Sequence, residues 1–441
     1  MKTAISGREK SIVKKGNKKK EILCDSDSLS GSVSQRACVY CGARVVLNPI
    51  TDALHIVHGP IGCASYTWDI RGSLSSGDEL YRNSFSTDLK EKDVIFGGGK
   101  KLSLAIDELV QIYNPALIFI YATCIVGVIG DDLQAIAKAA EKKHGIKVIP
   151  VESSGFIGNK SAGYRAACDS LLKLIAPEKP LETIPGSINL LGDFNLAGET
   201  WIVRKYIEAI GLHFHTAFTG DSSSETLKTA TGASLNLVQC AGSMVYLANK
   251  MEEIYKIPFI RISFLGIEDT IGSLQTIASW SGDQLIQEKT DQLITDQLDG
   301  IEKEMKQYRT MFTGKKAAVY VGGGFKAISL IKQFRDLGIE VVMIGTQTGS
   351  KDDYRQIESL VGEGTVVVDD TNPAELERFI KQKGADLLVG GVKERPLAYK
   401  LGIAFIDHNH DRKHPLVGFE GAINFAKEVS WTLNSPVWEF V

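Results

Sequence analysis

The feature that most constrains the fold is a repeated alternation of short apolar runs with amphipathic segments. The run "ALIFIYAT" leads into "GDDLQAIAKAAEKKHG" and then "IKVIPV", and the same order recurs as far as "ADLLVGG". Continuous β-branched runs are typical of strands buried on both faces of a parallel sheet, and segments with a 3.6-residue period are typical of the helices that cover it. The sequence therefore predicts an α/β protein with roughly three Rossmann-like parallel-sheet domains.

Turn residues and charges divide this pattern at two places. They collect at "APEKPLETIPG" and at "MFTGKK", which puts the domain boundaries near residues 185 and 312. The predicted domains are therefore 37–185, 186–312 and 313–441.

Residues 1–36 do not follow the alternating pattern. Residues 1–20 contain eight Lys or Arg and one acid, and "CDSDSLSGSVSQ" comes after them. A segment of this composition buries little apolar surface, so we expect a flexible basic N-terminal arm. Docking of the arm on a partner subunit is the alternative.

Composition and charge exclude several classes of partner. The 441 residues carry a formal net charge of -3, which gives no general attraction to nucleic acid or acidic lipid. No apolar run is long enough to cross a bilayer, and residues 1–20 lack the apolar core of a secretory signal. We therefore expect a cytoplasmic protein that binds neither nucleic acid nor membrane.

The seven cysteines are scattered along the chain, which limits what they can do. An odd number, widely spaced in a large chain without a secretory signal, argues against a disulfide framework. Only Cys38 and Cys41 form a Cys-x-x-Cys pair, and one pair is a weak signal because a zinc site needs two more ligands. Metal binding, catalysis and simple burial therefore all remain open.

Residues able to bind a ligand follow several of the predicted strands. They are Cys124, Cys240, Gly322–Gly324, Lys393 and Asn409. Ligands of open α/β sheets bind beyond the carboxyl ends of the strands, so together these residues predict ligand sites at clefts between domains. Taken singly, a cysteine there is often buried filler, and "GGGFKA" is not a complete dinucleotide fingerprint. A nucleotide-binding enzyme, with phosphate on the glycine amides, is the remote alternative.

Several motifs, in order along the chain, resemble those of the nitrogenase component 1 superfamily. They are "CVYCGARVVLNPITDALHIVHGPIGCASYTWDIRG", "FSTDLKEKDVIFGGGKKL", "YATCIVGVIGDDL", "GVKERPLAYKLGI" and "HPLVGFEGAINFAKEV". The resemblance runs from about residue 37 to the end and is strongest to the α-type subunit of the scaffold that builds the iron–molybdenum cofactor. It implies the fold of that superfamily and an assembly scaffold rather than a turnover enzyme. Such a scaffold holds an iron–sulfur–carbide precursor while molybdenum and homocitrate are inserted, then passes it to the apo catalytic component.

The resemblance also implies a resident iron–sulfur cluster. The ligand positions of the family correspond to Cys38, Cys63 and Cys124, and the group would be a 4Fe-4S cube shared with the partner subunit. A cube needs four thiolates, so the fourth would come from a NifN-like β subunit in an α2β2 heterotetramer. Cys41 departs from the family pattern and is either a competitor of Cys38 or a bystander. The glycines of "HGPIGC" would let the backbone approach the cluster without a Cβ clash.

A second site, for the cofactor precursor, is implied as well. Cys240 matches the cysteine that binds the terminal iron, and Arg71 matches an arginine near the cofactor. Lys326 stands where the catalytic subunit has a contacting arginine, and Lys393 matches a lysine near homocitrate. The predicted precursor-binding residues are Cys240, Arg71, Lys326, Lys393, Gly323, Gly324 and Asn409. Because cluster and homocitrate are anionic, cations are expected at the rim, with plain surface solvation as the alternative. The implied transient partners are NifB, NifH and the apo nitrogenase catalytic component.

The catalytic α subunit of a nitrogenase is the runner-up within the same superfamily. That subunit holds molybdenum with a histidine, whereas Asn409 stands at the matching position here, flanked by His408 and His410. It also has a histidine over the cofactor where this chain has Tyr164. A missing permanent ligand fits a scaffold, which must release its product.

Overall fold

The computed structural model describes residues 8–16, 21–24, 37–66, 74, 83–177, 181–239, 241–409 and 412–440. The strands in these ranges are β1 (Ile12–Lys14), β2 (Ala53–His58), β3 (Ser84–Ser86), β4 (Leu117–Ala122), β5 (Lys147–Val151), β6 (Ser187–Asp193), β7 (His213–Thr219), β8 (Leu235–Val238), β9 (Phe259–Arg261), β10 (Lys316–Val321), β11 (Glu340–Thr346), β12 (Val366–Asp369), β13 (Leu387–Gly390) and β14 (Ala404–Asp407). The helices are α1 (Val39–Leu47), α2 (Ile61–Tyr66), α3 (Glu91–Phe96), α4 (Gly99–Tyr113), α5 (Cys124–Ile129), α6 (Leu133–His144), α7 (Lys160–Ile175), α8 (Glu199–Ala209), α9 (Ser224–Lys228), α10 (Ala241–Tyr255), α11 (Ile267–Ser281), α12 (Gln284–Phe312), α13 (Gly324–Asp336), α14 (Lys351–Leu360), α15 (Pro373–Lys383), α16 (Arg395–Lys400) and α17 (Gly418–Leu433).

The strands form three sheets, which confirms the predicted α/β class. Their orders are β3-β2-β4-β5, β7-β6-β8-β9 and β1-β12-β11-β10-β13-β14. Neighbouring strands are parallel except for β1 and β12. Every residue of β2, β4 and β6 is buried, as expected for strands of a sheet that is covered on both faces.

Local sequence sets the ends of the covering helices, and α6 is an example. The side chain of Asp132 accepts a hydrogen bond from the backbone N–H of Ala135 and so caps the first turn. The helix ends at Gly145, whose φ of 70° lies in the left-handed region that glycine adopts without strain. The cap and the glycine fix the length of the helix between β4 and β5.

The chain divides into two compact units. One unit consists of residues 37–204 and 212–261, and it holds the two four-stranded sheets. The other takes in the described part of residues 1–36 together with 205–211 and 262–441, and it holds the six-stranded sheet. The predicted domain boundaries near 185 and 312 stay predictions. In the part of the chain described, no helix is long and apolar enough to cross a membrane, and the cytoplasmic location also stays a prediction.

The expectation of a flexible N-terminal arm is corrected for residues 8–16 and 21–24. Strand β1 pairs antiparallel with β12 at the edge of the six-stranded sheet. The buried guanidinium of Arg8 lies 3.0 Å from a carboxylate oxygen of Glu375 and donates to the carbonyl of Asp369 at 2.8 Å. Ile22 is buried in the core on one face of this sheet. A buried ion pair and strand pairing thus hold a segment that its charge alone predicts to be solvated.

Candidate metal centre

The three predicted cluster ligands lie at the starts of helices in the first unit. Cys38 immediately precedes α1, Cys63 is the third residue of α2, and Cys124 is the first residue of α5. Helices α2 and α5 follow β2 and β4, which are neighbours in the sheet, so their first turns emerge at the same edge. The backbone N–H groups of a first turn favour the thiolate form of a nearby cysteine.

The structure brings the three thiols within electrostatic range of one another. The pKa of Cys63 is raised, first because the side chain is half-buried and then because of the negative charges on Cys124 and Cys38. Cys38 and Cys124 are exposed. The backbone N–H of Gly155 donates a hydrogen bond to Sγ of Cys124 at 3.2 Å. Coordination to a metal cation would offset the cost of placing a thiolate charge at the half-buried Cys63.

These residues fit an iron–sulfur cube better than a single ion. Among the described residues, no three Cys, His, Asp or Glu converge closely enough to hold one metal ion. Each thiolate of a cube binds its own iron, so its ligands need to share a neighbourhood and not a single point. Three thiols from this chain would leave one corner of the cube for another donor.

Cys38 and Cys41 differ sharply in position although they share one loop and helix. Cys41 is only 6% exposed, whereas Cys38 is exposed. The charge of Cys38 acts on Cys63. This geometry favours Cys38 as the ligand and Cys41 as the bystander.

Gly59 and Gly62 of "HGPIGC" differ in how closely other atoms surround them. A Cβ on Gly59 would lie 2.3 Å from Oγ1 of Thr123, so this glycine is needed for packing against the residue before Cys124. A Cβ on Gly62 would have no atom within 4 Å. Gly62 therefore keeps open space beside its backbone, and the approach of the cluster to Gly59 stays a prediction.

Part of the predicted precursor site lies at the carboxyl edge of the six-stranded sheet. Strands β10, β13 and β14 are neighbours there, and the loops after them meet. The backbone N–H of Gly322 donates to Oδ1 of Asn409 at 3.4 Å, and the ammonium of Lys326 donates to the carbonyl of His408 at 3.2 Å. We call Gly322–Gly324, Lys326, Lys393, Glu394 and Asn409 the strand-end group.

The imidazole of His408, next to Asn409 in the chain, is packed in the core. Its ring is fully buried and lies edge-on to Phe425, with 6.0 Å between ring centroids. Burial, followed by the positive charges of Lys326 and Arg412, holds the pKa of His408 well below its usual value, so the ring is neutral. The amide of Asn409, and not this imidazole, therefore faces the glycine turn. His410 lies outside the described residues.

Glu394 belongs to the same group and was missed by the sequence argument. Its side chain is 1% exposed, and Oε2 accepts a hydrogen bond from the backbone N–H of Gly391 at 2.8 Å. Burial raises the pKa of Glu394 to about 7. The preceding residue, Lys393, is exposed. A signal existed in "GVKERP", because charged residues shortly after a buried strand lie at the edge of the sheet where ligands bind.

Two predicted residues of the precursor site cannot be placed. Arg71 and Cys240 both lie outside the described residues. The strand-end group is therefore the part of that site whose geometry is known.

Comparison with known proteins assigns the family. Residues 38–434 match the family described as nitrogenase component 1 type oxidoreductase. Two solved structures, described as nitrogenase Cp1 at pH 5 and at pH 6.5, superpose with TM-scores of 0.88 and 0.89. They share 31% and 30% identity with the chain, and each comparison covers 98% of this chain and 96% of theirs. The chain belongs to the nitrogenase component 1 family.

Curated relatives at higher identity share one description. A protein of Clostridium pasteurianum is 63% identical over 99% of this chain and 97% of its own length. Relatives from Methanosarcina barkeri and Klebsiella pneumoniae are 54% and 35% identical over 99% and 91% of this chain, and over 97% and 90% of their own lengths. All three are named nitrogenase iron-molybdenum cofactor biosynthesis protein NifE.

Proposed function

We propose that this chain is the α-type subunit of a scaffold on which the nitrogenase iron–molybdenum cofactor is built. The observation that carries the proposal is the full-length similarity to relatives named NifE, at up to 63% identity among those compared. Two features support it: three thiols near one another in one unit could bind a resident cluster, and two lysines with an amide at the edge of the six-stranded sheet could meet an anionic precursor.

The resident group is a 4Fe-4S cube held by Cys38, Cys63 and Cys124, with its fourth thiolate from a NifN-like β subunit. The cube would supply redox capacity to the scaffold. Large apolar side chains are exposed on the elements that carry or contact these cysteines, namely Ile61 on α2, Val128 on α5, and Phe156 and Ile157 in the turn after β5. They are 53%, 67%, 71% and 56% exposed. We call these apolar residues and the three cysteines the cysteine face.

Apolar surface of this kind marks a protein–protein contact. A β-type partner seated on the cysteine face would bury it and close the cube in the same step. The assembly proposed is an α2β2 heterotetramer.

The precursor is the cargo and would be held more loosely. Cys240 would bind it, and Arg71, Lys326 and Lys393 would offset its negative charge as molybdenum and homocitrate are added. Lysine gives a point charge without the bidentate fork of arginine, which suits a loose grip. Asn409 offers a neutral amide where an imidazole would hold metal firmly. NifB, NifH and the apo catalytic component would then be transient partners for loading, maturation and delivery.

The alternatives explain less of the chain. A catalytic subunit needs an imidazole at the position of Asn409, and the adjacent His408 ring is turned into the core. A nucleotide site at "VGGGFK" needs an open anion cradle at the start of α13. A Cβ on Gly324 would lie 2.5 Å from a carboxylate oxygen of Asp353, so a negative charge already stands beside that turn. The nucleotide-binding alternative also leaves Cys38, Cys63 and Cys124 without a role.

The test is anaerobic co-expression with the β-type partner, followed by loading with precursor and incubation with apo catalytic component. We expect a brown heterotetramer with bound iron and a paramagnetic signal, and activity of the catalytic component only after transfer. A colourless, iron-free complex that binds labelled nucleotide would replace the scaffold with the nucleotide-binding enzyme. Substrate reduction without added catalytic component would favour the catalytic subunit.

A further inference from the structure

One buried residue at the end of β2 touches three of the loops around the cysteines. His58 is the last residue of β2 and is fully buried. Its Nε2 lies 3.0 Å from Oδ2 of Asp131, and its Nδ1 lies 3.0 Å from Oγ1 of Thr87. Burial is the main influence on the pKa of His58 and lowers it, so the ring is neutral. A carboxylate can only accept, so Nε2 carries the proton and Nδ1 accepts from the Thr87 hydroxyl.

The same residue contacts both ends of the helix that carries Cys124. The backbone carbonyl of His58 accepts a hydrogen bond from Oγ1 of Thr123 at 2.9 Å, and Thr123 directly precedes Cys124. Asp131, which accepts from the His58 ring, lies two residues after the end of α5 at Ile129. Helix α5 has six residues, too few to hold its own position without tertiary contacts.

The hydrogen bonds continue into the loop that carries Cys63. The backbone N–H of Gly59 donates to Oγ1 of Thr87 at 3.1 Å, and the N–H of Leu89 donates to the carbonyl of Gly59 at 2.9 Å. On the other side, Asp131 accepts from the backbone N–H of Gly98 at 3.0 Å. The strand end before Cys63, the helix of Cys124 and the turn before α4 therefore share one network.

We propose that His58 is a positioning residue, which sets the Cys63 loop and the Cys124 helix at the spacing that their shared cluster requires. The inference rests on the proposed cluster, and it assigns to His58 a role beyond general stability. A cube offers its corners at fixed positions, so two thiolates on separate loops bind it well only if the loops are held at one spacing. His58 is connected to both loops by its ring and its backbone, and no thiol needs to touch it.

His55 provides a matched control on the same strand. It is also fully buried, and its ring stacks on Phe119 with 5.6 Å between centroids. Its Nδ1 lies 2.8 Å from the hydroxyl of Tyr121, within the neighbouring strand β4. Among the described residues it forms no hydrogen bond to the loops of Cys63 or Cys124. Replacement of His55 therefore perturbs the core of the sheet but not the spacing of those loops.

The experiment compares His58→Leu, His58→Gln and His55→Leu, each co-expressed anaerobically with the β-type partner. We expect His58→Leu to assemble but to bind iron roughly tenfold more weakly against a chelator, the low end of what outer-shell partners contribute. Its paramagnetic signal should also broaden, because the loops sample several spacings. Glutamine places an amide N–H near the position of Nε2, so His58→Gln should restore the contact to Asp131 and most of the iron affinity. His55→Leu should lower the melting temperature but keep iron affinity and spectrum.

Two results would overturn the proposal. One is a His58→Leu protein with unchanged iron affinity and spectrum. The other is equal loss of iron in His55→Leu, which would reduce His58 to a contributor to stability. Asp131→Ala removes the hydrogen bond between His58 and Asp131 without a change in the strand. If His58→Leu gives no folded protein, the iron affinity and spectrum of Asp131→Ala test the proposal in its place. A wild-type complex without iron would refute the proposed cluster itself and is thereby distinct from failure of the His58 proposal.

Discussion

The cysteine face and the strand-end group differ in what they leave open. On the cysteine face, Cys38 and Cys124 are exposed and lie among large apolar side chains that are also exposed. In the strand-end group, several of the polar atoms are already engaged within the chain. Asn409 accepts from Gly322, Lys326 donates to the carbonyl of His408, and Glu394 accepts from Gly391.

The difference indicates two kinds of retention. A face that combines thiolates with apolar surface is completed by a partner that stays. The partner and the cluster bind at the same time and are lost together. A group of lysines, an amide and a buried carboxyl can attract an anionic cargo without bonding it firmly. The proposed function therefore predicts a permanent metal centre on the cysteine face and a site of passage at the strand-end group, and variants in each region should fail in different ways.

The largest effect should follow from Cys63→Ala on the cysteine face. Loss of one thiolate opens a second corner of the cube, so we expect most of the iron to be lost and pairing with the β-type subunit to weaken. Iron per chain and the fraction of heterotetramer after gel filtration measure the two effects.

Cys168→Ala is the matched control. Cys168 is fully buried, its thiol contacts the carbonyl of Ser243 at 3.4 Å, and burial raises its pKa to about 12. We expect this variant to keep its iron and to melt at a slightly lower temperature. A Cys63→Ala tetramer with a full cluster would remove the distinction between the two regions.

The next comparison lies within the cysteine face, between Cys38 and Cys41. Cys38→Ala should lose the cluster, because the thiol of Cys38 is exposed and lies close enough to Cys63 for its charge to act there. Cys41→Ala should keep it, since that side chain is buried in the core. Anaerobic iron analysis of the two complexes measures which variant keeps the cluster. The reverse outcome would move the ligand assignment from Cys38 to Cys41.

A smaller, kinetic effect is expected in the strand-end group for Asn409→His. An imidazole bonds molybdenum or iron far better than a neutral amide, so the cargo should be retained. We expect transfer to the apo catalytic component to slow by roughly tenfold or more, about 1.4 kcal/mol in the barrier. The transfer rate from equally loaded wild-type and variant scaffolds is the measurement.

Asn409→Ala is the control that distinguishes two causes of slower transfer, a new bond from the imidazole to the metal and a change in the loop that carries residue 409. It removes the acceptor for Gly322 without adding a ligand, so transfer should not slow. Equal slowing in both variants would mean that the loop, and not the metal bond, governs release. An unchanged rate in a fully loaded Asn409→His protein would refute the argument that a missing metal ligand at this position permits release.

The sequence predicted the α/β alternation because its strands are long, apolar runs that must be covered on both faces. It failed for β1, whose three residues stand next to a strongly basic stretch, because a composition argument cannot see that β12 has an open edge or that Arg8 meets Glu375. Strand pairing between residues more than three hundred positions apart leaves no local signal.

The residues of the candidate site also fall into those that the sequence could predict and those that it could not. The cysteines and Asn409 were predicted because their motifs and strand ends are visible in the sequence. The roles of His58 and Glu394 were not, because they depend on hydrogen bonds and burial. His58 meets partners 29 and 73 positions away, and nothing in "GVKERP" tells which of two adjacent charged residues, Lys393 or Glu394, is turned inward.

The smallest effect concerns the charge of Glu394. Its pKa in the folded protein is about 7, against 4.5 for an unperturbed glutamic acid, because burial disfavours the ionised form. Between these two pH values the folded protein binds more protons than the unfolded chain, so stability falls as pH rises from 4.5 to 7 and is flat above. The span corresponds to at most on the order of 3 kcal/mol.

Glu394→Gln should remove that slope, because glutamine has no proton to lose and can still accept from the backbone N–H of Gly391. Melting temperatures of wild type and variant, measured from pH 5 to 8, should therefore diverge with rising pH, the variant becoming the more stable. Burial also raises the pKa of Glu428 to about 7, so Glu428 contributes a similar dependence of stability on pH. The Glu428→Gln variant therefore measures how much of the wild-type pH dependence comes from Glu428 and not from Glu394. Parallel curves for wild type and Glu394→Gln would mean that Glu394 is ionised throughout. The strand-end group would then carry a fixed negative charge beside its lysines, which would weaken the case that it attracts an anionic cargo.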